Sequence, residues 1–152
     1  MNVDDFERPL NERGKRDAPR MAKRLKEKDI HPGLMISSPA KRALSTSKRI
    51  AKILGYPKEN IKEERKLYHP DEDTMLSVVQ QLSDKTNQVM LFSHNPGLTE
   101  FVNTLMMSDE FDIENVPTCG IVALQFESDH WSDIKWGTGK LLFFDYPKSK
   151  ED

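Results

Sequence analysis

Two segments of the sequence carry side chains that could bind or transfer a phosphate group. Residues 34–43, LMISSPAKRA, and residues 89–97, VMLFSHNPG, each pass from a short apolar run through a serine-containing turn to a predicted helix. The first segment supplies Arg42, whose planar and permanently charged guanidinium suits phosphate oxygens. The second supplies Asn95 and also His94, which is a candidate for the chemistry itself.

The expected position of these side chains supports the phosphate interpretation. In open α/β sheets, ligands bind beyond the carboxyl ends of the strands, and the N–H groups at the start of the following helices favour anions. The sequence therefore predicts an oxyanion site, for phosphate, built from Arg42 and His94. Each residue alone has a plainer interpretation, since Arg42 could be a solvated charge and His94 a hydrogen-bonded core residue.

Apolar periodicity and helix-stop signals predict the elements that carry these segments. Asn11 is the expected N-cap of a helix over residues 12–28. Ser38 and Pro39 are expected to start a second helix, which Gly55 ends. The predicted strands cover residues 34–36, 61–67, 89–92, 121–126, 131–136 and 141–144, and the remaining helices cover residues 73–82 and 98–107.

The order of these elements predicts the fold class. Strands alternate with helices and are then followed by strands alone, which is typical of an α/β fold. We expect a sheet that is mostly parallel, antiparallel at one side and flanked by helices. No repeat or linker interrupts the chain, so residues 1–152 are expected to form a single domain.

Composition and charge restrict the location and the partners. A single cysteine, Cys119, cannot form an internal disulfide, so a cytoplasmic location is expected. No apolar run is long enough to span a bilayer, and no membrane partner is expected. The basic first half could contact phosphate, nucleic acid or an acidic partner, whereas the plainer interpretation is a solvated helix face. Residues 8–28 lack interleaved aromatic side chains, so we expect no nucleic-acid partner.

Four stretches form a recognisable set: FERPLNERGKRDAPRMAKRL, SSPAKRALSTSKRIA, SHNPGLTEF and PTCGIVAL. Together they resemble SixA-type phosphohistidine phosphatases of the histidine phosphatase superfamily. The resemblance implies a phosphoglycerate mutase-like α/β fold with a phosphate pocket at the strand ends. It also implies a phosphatase that hydrolyses protein phosphohistidine through a phosphohistidine enzyme intermediate, with no metal and no other cofactor.

The resemblance further implies roles for individual residues. Arg42 matches the second arginine of the family and His94 its second histidine, so both are expected to be catalytic. Arg42, Ser38, Asn95 and His69 are expected to bind the substrate, although His69 could equally be a surface or packing histidine. The expected partners are a phosphohistidine-bearing protein and inorganic phosphate, and we expect a monomer.

The sequence departs from the family pattern at its beginning. The family's first strand leads into an Arg-His-Gly-like motif that supplies the nucleophilic histidine, and no Arg-His pair occurs in this chain. We interpret Met1 as an internal methionine of a longer reading frame, and a truncated gene is the alternative. In both cases the first strand is expected to be missing. The alternative function is a non-catalytic phosphate- or phosphoprotein-binding module that has lost its nucleophile.

A missing inner strand would leave unpaired strand edges and an opened core, so we expect low thermal stability for the 152-residue chain. Adding the residues encoded in frame upstream of Met1 should raise the melting temperature. Circular dichroism melts of the two forms check this expectation. A cooperative melt of the shorter form at the temperature of the longer form would contradict it.

Overall fold

The structure of the protein, a computed structural model, describes residues 3–107, 109 and 112–148. The chain forms two compact units. Unit 1 comprises Met1–Tyr68 and Asn87–Ser93, and unit 2 comprises His69–Thr86 and His94–Asp152. The interpretation of residues 1–152 as a single domain stays a prediction.

Unit 1 contains helices and strands close to the predicted positions. The predicted helix over residues 12–28 is confirmed, and its cap is Asn11, whose Oδ1 accepts a hydrogen bond from the backbone N–H of Gly14 at 2.8 Å. This bond satisfies one of the donors that a helix start leaves unpaired. In the described part of unit 1 the elements are α1 (Val3–Glu7), α2 (Glu12–Glu27), β1 (Leu34–Ser37), α3 (Lys41–Leu54), β2 (Lys62–Glu63) and β3 (Val89–Phe92).

The start of α3 differs from the prediction, whereas its end agrees. We predict Ser38 as the cap and Pro39 in the first turn, but the helix begins at Lys41 with Ala40 as its N-cap residue. The Ser38 Oγ instead accepts a hydrogen bond from the backbone N–H of Ala40 at 3.2 Å, which forms a local turn before the helix. The predicted stop is confirmed, because Gly55 follows the helix with a φ of 77°, a conformation that favours glycine.

The strands of unit 1 form a parallel sheet in the order β2-β1-β3. The central strand β1 is largely buried, and its register places Ser37 opposite Phe92 of β3, so the carboxyl ends of these two strands lie side by side. The edge strand β2 is much shorter than the predicted strand over residues 61–67. That prediction is wrong beyond β2 because the Glu64 side chain caps a short 3-10 turn over Arg65–Leu67.

The described part of unit 2 contains α4 (Glu72–Gln80), α5 (Gly97–Leu105), β4 (Ile121–Gln125) and β5 (Lys140–Asp145). β4 and β5 pair in an antiparallel manner and form a two-stranded sheet of their own. The expectation of one sheet with an antiparallel side is therefore corrected to two sheets in the described residues. An apolar core holds unit 2 together, formed by the buried residues Val102, Met106, Ile113 and Val116 with Leu98, Val122, Leu124, Leu141 and Phe144 packed against them.

The strand predicted over residues 131–136 is wrong. Trp131–Asp133 forms a 3-10 turn instead. The backbone N–H of Trp131 donates to Asp84 Oδ1 at 3.0 Å, and its indole Nε1 donates to the carbonyl of Thr86 at 2.6 Å. These partners lie more than forty residues back in the chain, so the local apolar pattern could not predict them.

The helices of the two units are short. The longest described helix, α2, has 16 residues and is strongly charged. Within the described ranges, no helix combines the length and the apolar character that crossing a membrane requires.

The contact between His130 and Asp84 should make the stability of unit 2 depend on pH. The 2.8 Å hydrogen bond to Asp84 and the charge of that carboxylate raise the pKa of His130. The same bond, together with the backbone N–H of Trp131, lowers the pKa of Asp84. A raised histidine pKa stabilises the fold fully below the unfolded value of about 6.5, and this contribution is lost as the pH rises through the folded-state pKa.

We therefore expect His130→Asn to lower the melting temperature more at about pH 6 than at about pH 8.5. Calorimetric melts at the two pH values measure the difference. In an Asp84→Asn background, which removes the partner carboxylate, the same substitution should lose this pH dependence. An equal loss at both pH values in the unmodified background would contradict the assignment.

Candidate active site

The first candidate site residue, Arg42, lies in the first turn of α3, shortly after the carboxyl end of β1. Its side chain is 20% exposed and contacts Asp5 of α1. Nη1 donates to the backbone carbonyl of Asp5 at 2.7 Å, and Nη2 lies 3.5 Å from the carboxylate oxygen Oδ2. Among the described residues, Asp5 therefore offers the guanidinium both a carbonyl and a carboxylate oxygen.

The same carboxylate also binds Tyr68. The Tyr68 hydroxyl donates to Asp5 Oδ2 at 2.7 Å, and the ring of Phe6 packs edge-on against the Tyr68 ring with 5.0 Å between centroids. Burial raises the pKa of Tyr68, and the hydrogen bond and charge of Asp5 raise it further. The phenol therefore stays protonated near neutral pH and can donate to the carboxylate.

The contacts of Asp5 with Arg42 and Tyr68 were not predicted from the sequence. Asp5 lies 37 residues from Arg42 and 63 residues from Tyr68, so no local spacing relates the three. The available signal was the acidic pair Asp4-Asp5 at the start of an otherwise basic half, and this pair indicates no particular partner.

Ser38 is fully buried at the end of β1. Its Oγ accepts from the backbone N–H of Ala40, and its own N–H donates to the carbonyl of Phe92 at 2.9 Å. The neighbouring Ser37 Oγ donates to the carbonyl of Ser38 at 2.8 Å. These bonds hold the turn between β1 and α3, and a substrate-binding role for Ser38 stays a prediction.

The structure brings the two predicted histidines of unit 2 together. The rings of His69 and His94 lie 6.1 Å apart between centroids at an angle of 45°. His69 is exposed and has a φ of 52°, which is left-handed, whereas His94 is half-buried and precedes α5. A Cβ at Gly97, the first residue of α5, would collide with the backbone carbonyl of Pro70. Glycine is therefore required where α5 approaches the segment that carries His69.

The third predicted residue of unit 2, Asn95, is bound within the protein. Its Nδ2 donates to the carbonyl of Val116 at 2.7 Å and to Asn115 Oδ1 at 3.2 Å. Its Oδ1 accepts from the backbone N–H of Thr99 at 3.1 Å and from the Thr99 hydroxyl at 2.7 Å. Asn95 therefore connects the first turn of α5 to the loop before β4, and its predicted role in substrate binding stays a prediction.

Within residues 3–107, 109 and 112–148, no group of three or more His, Cys, Asp or Glu side chains is arranged to hold a metal ion.

Comparison with known families relates the first part of the chain to a phosphatase superfamily. A sequence profile of the histidine phosphatase superfamily (branch 1) matches residues 4–67, a segment that includes Asp5 and Arg42. The matched segment is less than half of the 152 residues, so the match shows that this segment is similar to the superfamily. Comparison with curated protein sequences found no match.

Solved structures share the fold over nearly the whole chain. The protein histidine phosphatase SixA complexed with tungstate is 22% identical, with a TM-score of 0.79 over 97% of this chain and 89% of that chain. A candidate phosphohistidine phosphatase SixA from Agrobacterium tumefaciens is 24% identical, with a TM-score of 0.77 over 94% and 86%. A candidate SixA from Nakamurella multipartitia is 17% identical, with a TM-score of 0.79 over 98% and 90%. The predicted phosphoglycerate mutase-like fold is thereby confirmed.

The close approach at Gly97 leads to a stability prediction. Gly97→Ala places a methyl group against the carbonyl of Pro70. Because this carbonyl belongs to the backbone, it cannot move aside as the end of a flexible side chain would. We expect a loss of about 1–3 kcal/mol in the free energy of unfolding, measured by urea titration.

Gly137→Asn is the matched control for Gly97→Ala. Nothing lies within 4 Å of an added Cβ at Gly137, and asparagine tolerates its φ of 74°. A Gly97→Ala protein that unfolds at the same urea concentration as the unmodified chain would show that α5 does not approach Pro70 as described.

Proposed function

We propose that the protein is a phosphatase that hydrolyses protein phosphohistidine. The observation that carries the proposal is the position of Arg42. It lies at the start of the helix that follows the buried strand β1, within the segment that matches the histidine phosphatase superfamily. A guanidinium at the carboxyl end of a parallel strand is suited to bind a phosphoryl group.

The tungstate complex of SixA supports an oxyanion ligand for this fold. Tungstate is a tetrahedral oxyanion with the shape and charge of phosphate. We infer that a phosphoryl group occupies the corresponding strand ends in this protein and that Arg42 is its principal cationic ligand.

The proposed chemistry asks for positioning and charge stabilisation more than for strong acid–base catalysis. A histidine nucleophile attacks phosphorus, the P–N bond of phosphohistidine breaks, the imidazole leaves, and water then hydrolyses the enzyme's own phosphohistidine. The N–H groups of Arg42 stabilise the charge on the equatorial oxygens, and His94 donates a hydrogen bond to the transferring group. The attacking histidine belongs to the Arg-His-Gly-like motif, and no Arg-His pair occurs among the 152 residues.

The leaving group explains why a weak acid suffices. Protonated imidazole has a pKa of about 6.5, so imidazole leaves far more readily than a serine alkoxide. We propose that His69, 6.1 Å from His94 between ring centroids, assists this departure. We propose that the partners of the protein are a phosphohistidine-bearing protein and inorganic phosphate. The protein itself is proposed to be a monomer in the cytoplasm.

Arg42→Ala should weaken tungstate or phosphate binding at least about tenfold, because a hydrogen bond to a charged group contributes about 1.5–3 kcal/mol. Isothermal titration calorimetry measures the dissociation constant. Arg49→Ala is the matched control, since Arg49 lies on the same helix and contacts Ser45. An unchanged affinity in Arg42→Ala would remove Arg42 from the site.

Measurements of turnover distinguish the proposed phosphatase from the alternative, a non-catalytic binding module. The 152-residue chain and a form extended by the upstream in-frame residues are assayed on a phosphohistidine protein and on p-nitrophenyl phosphate. We expect turnover by the extended form. If neither form turns over while tungstate still binds, the protein is the alternative, a non-catalytic phosphate-binding module.

A further inference from the structure

We propose that Asp5 is a positioning residue for the phosphate-binding arginine. This inference rests on the proposed role of Arg42 and extends it to a residue that lies outside the motif. Asp5 contributes two separate groups, its backbone carbonyl and its carboxylate, and both lie against the terminal nitrogens of Arg42.

The Arg42 side chain is restricted in its conformation by Asp5. A long arginine side chain can adopt many rotamers, and this conformational freedom must be lost when it binds a ligand in one geometry. The 2.7 Å bond from Nη1 to the Asp5 carbonyl fixes the guanidinium before any ligand arrives. An oxyanion then meets a donor that is already oriented, which favours binding.

The carbonyl of Asp5 is held in place by contacts of the Asp5 carboxylate. Helix α1 has only five residues, and an isolated helix of that length is not stable by itself. The Asp5 carboxylate anchors it through Oδ2, which accepts from the Tyr68 hydroxyl at 2.7 Å, and through Oδ1, which lies 3.3 Å from Arg8. The edge-on packing of Phe6 against Tyr68 adds a second contact between the same segments.

The negative charge of Asp5 opposes the binding of an anion at Arg42. The Asp5 carboxylate lies 3.5 Å from Arg42 Nη2, and its negative charge repels an incoming anion. Orientation and repulsion therefore act in opposite directions, and the two can be separated by substitution. Asparagine keeps an oxygen that accepts from Tyr68 and Arg42 while it removes the charge, whereas alanine removes both.

The experiment titrates the 152-residue chain with tungstate and with orthophosphate. We expect Asp5→Ala to weaken binding about tenfold, and Asp5→Asn to bind at least as tightly as the unmodified chain. Glu7→Ala, which removes an exposed carboxylate from the same helix, is the matched control and should change the affinity less than about twofold. In an Arg42→Ala background, Asp5→Ala should have no further effect.

A second variant covers the case in which Asp5→Ala does not fold. Tyr68→Phe removes only the hydroxyl that anchors the carboxylate, and it should weaken binding about threefold with an unchanged circular dichroism spectrum. An unchanged affinity in both Asp5→Ala and Tyr68→Phe, with Arg42→Ala weakened, would overturn the positioning role and leave the proposed function intact.

Two further outcomes would also overturn the inference. Tighter binding in both Asp5→Ala and Asp5→Asn would mean that the carboxylate competes with the ligand for Arg42. An unchanged affinity in Arg42→Ala alone would overturn the anion site itself, and the positioning role would fall with it.

Discussion

The parallel pairing of β1 with β3 is the constraint on which the candidate active site depends. The register places Ser37 opposite Phe92, so both strands end at the same edge of the sheet. From this edge the chain continues from β1 into α3, which carries Arg42. A slip of the register by one residue would turn the buried side chains of β1 towards the other face of the sheet. The pairing of β1 with β3 therefore determines where the start of α3, and with it Arg42, lies.

The polar residues near the strand ends differ in what they bind. Ser38 and Asn95 form hydrogen bonds to backbone groups that hold the turns before α3 and at the start of α5. In the described part of the chain, Arg42 instead contacts an acidic residue, Asp5 of α1. Such an arrangement would suit the proposed phosphoryl transfer, in which rigid elements orient a small number of charged donors.

Much of the fold could be predicted because the signals are local. The Asn11 cap, the stop at Gly55 and the apolar runs of β1 and β3 each depend on neighbouring residues. The errors arise where distant contacts override the local pattern. Trp131 is apolar and β-favouring, yet Asp84 and Thr86 hold it in a turn.

The candidate site shows the same division between local and distant signals. Arg42 and His94 stand out in the sequence because each follows a strand and a serine-containing turn. The contact of Arg42 with Asp5 spans 37 residues, and Tyr68 is more distant still. Only the three-dimensional structure brings these residues together, which is why the support of the arginine could not be predicted.

If Arg42 is the cationic ligand of a phosphoryl group, a bound oxyanion must contact its guanidinium. The most direct test is an anomalous difference map from crystals of the protein soaked in tungstate. We expect a tungstate peak whose oxygens lie within about 3 Å of the Arg42 guanidinium nitrogens. A tungstate peak bound elsewhere, with the Arg42 guanidinium contacting only Asp5, would contradict it.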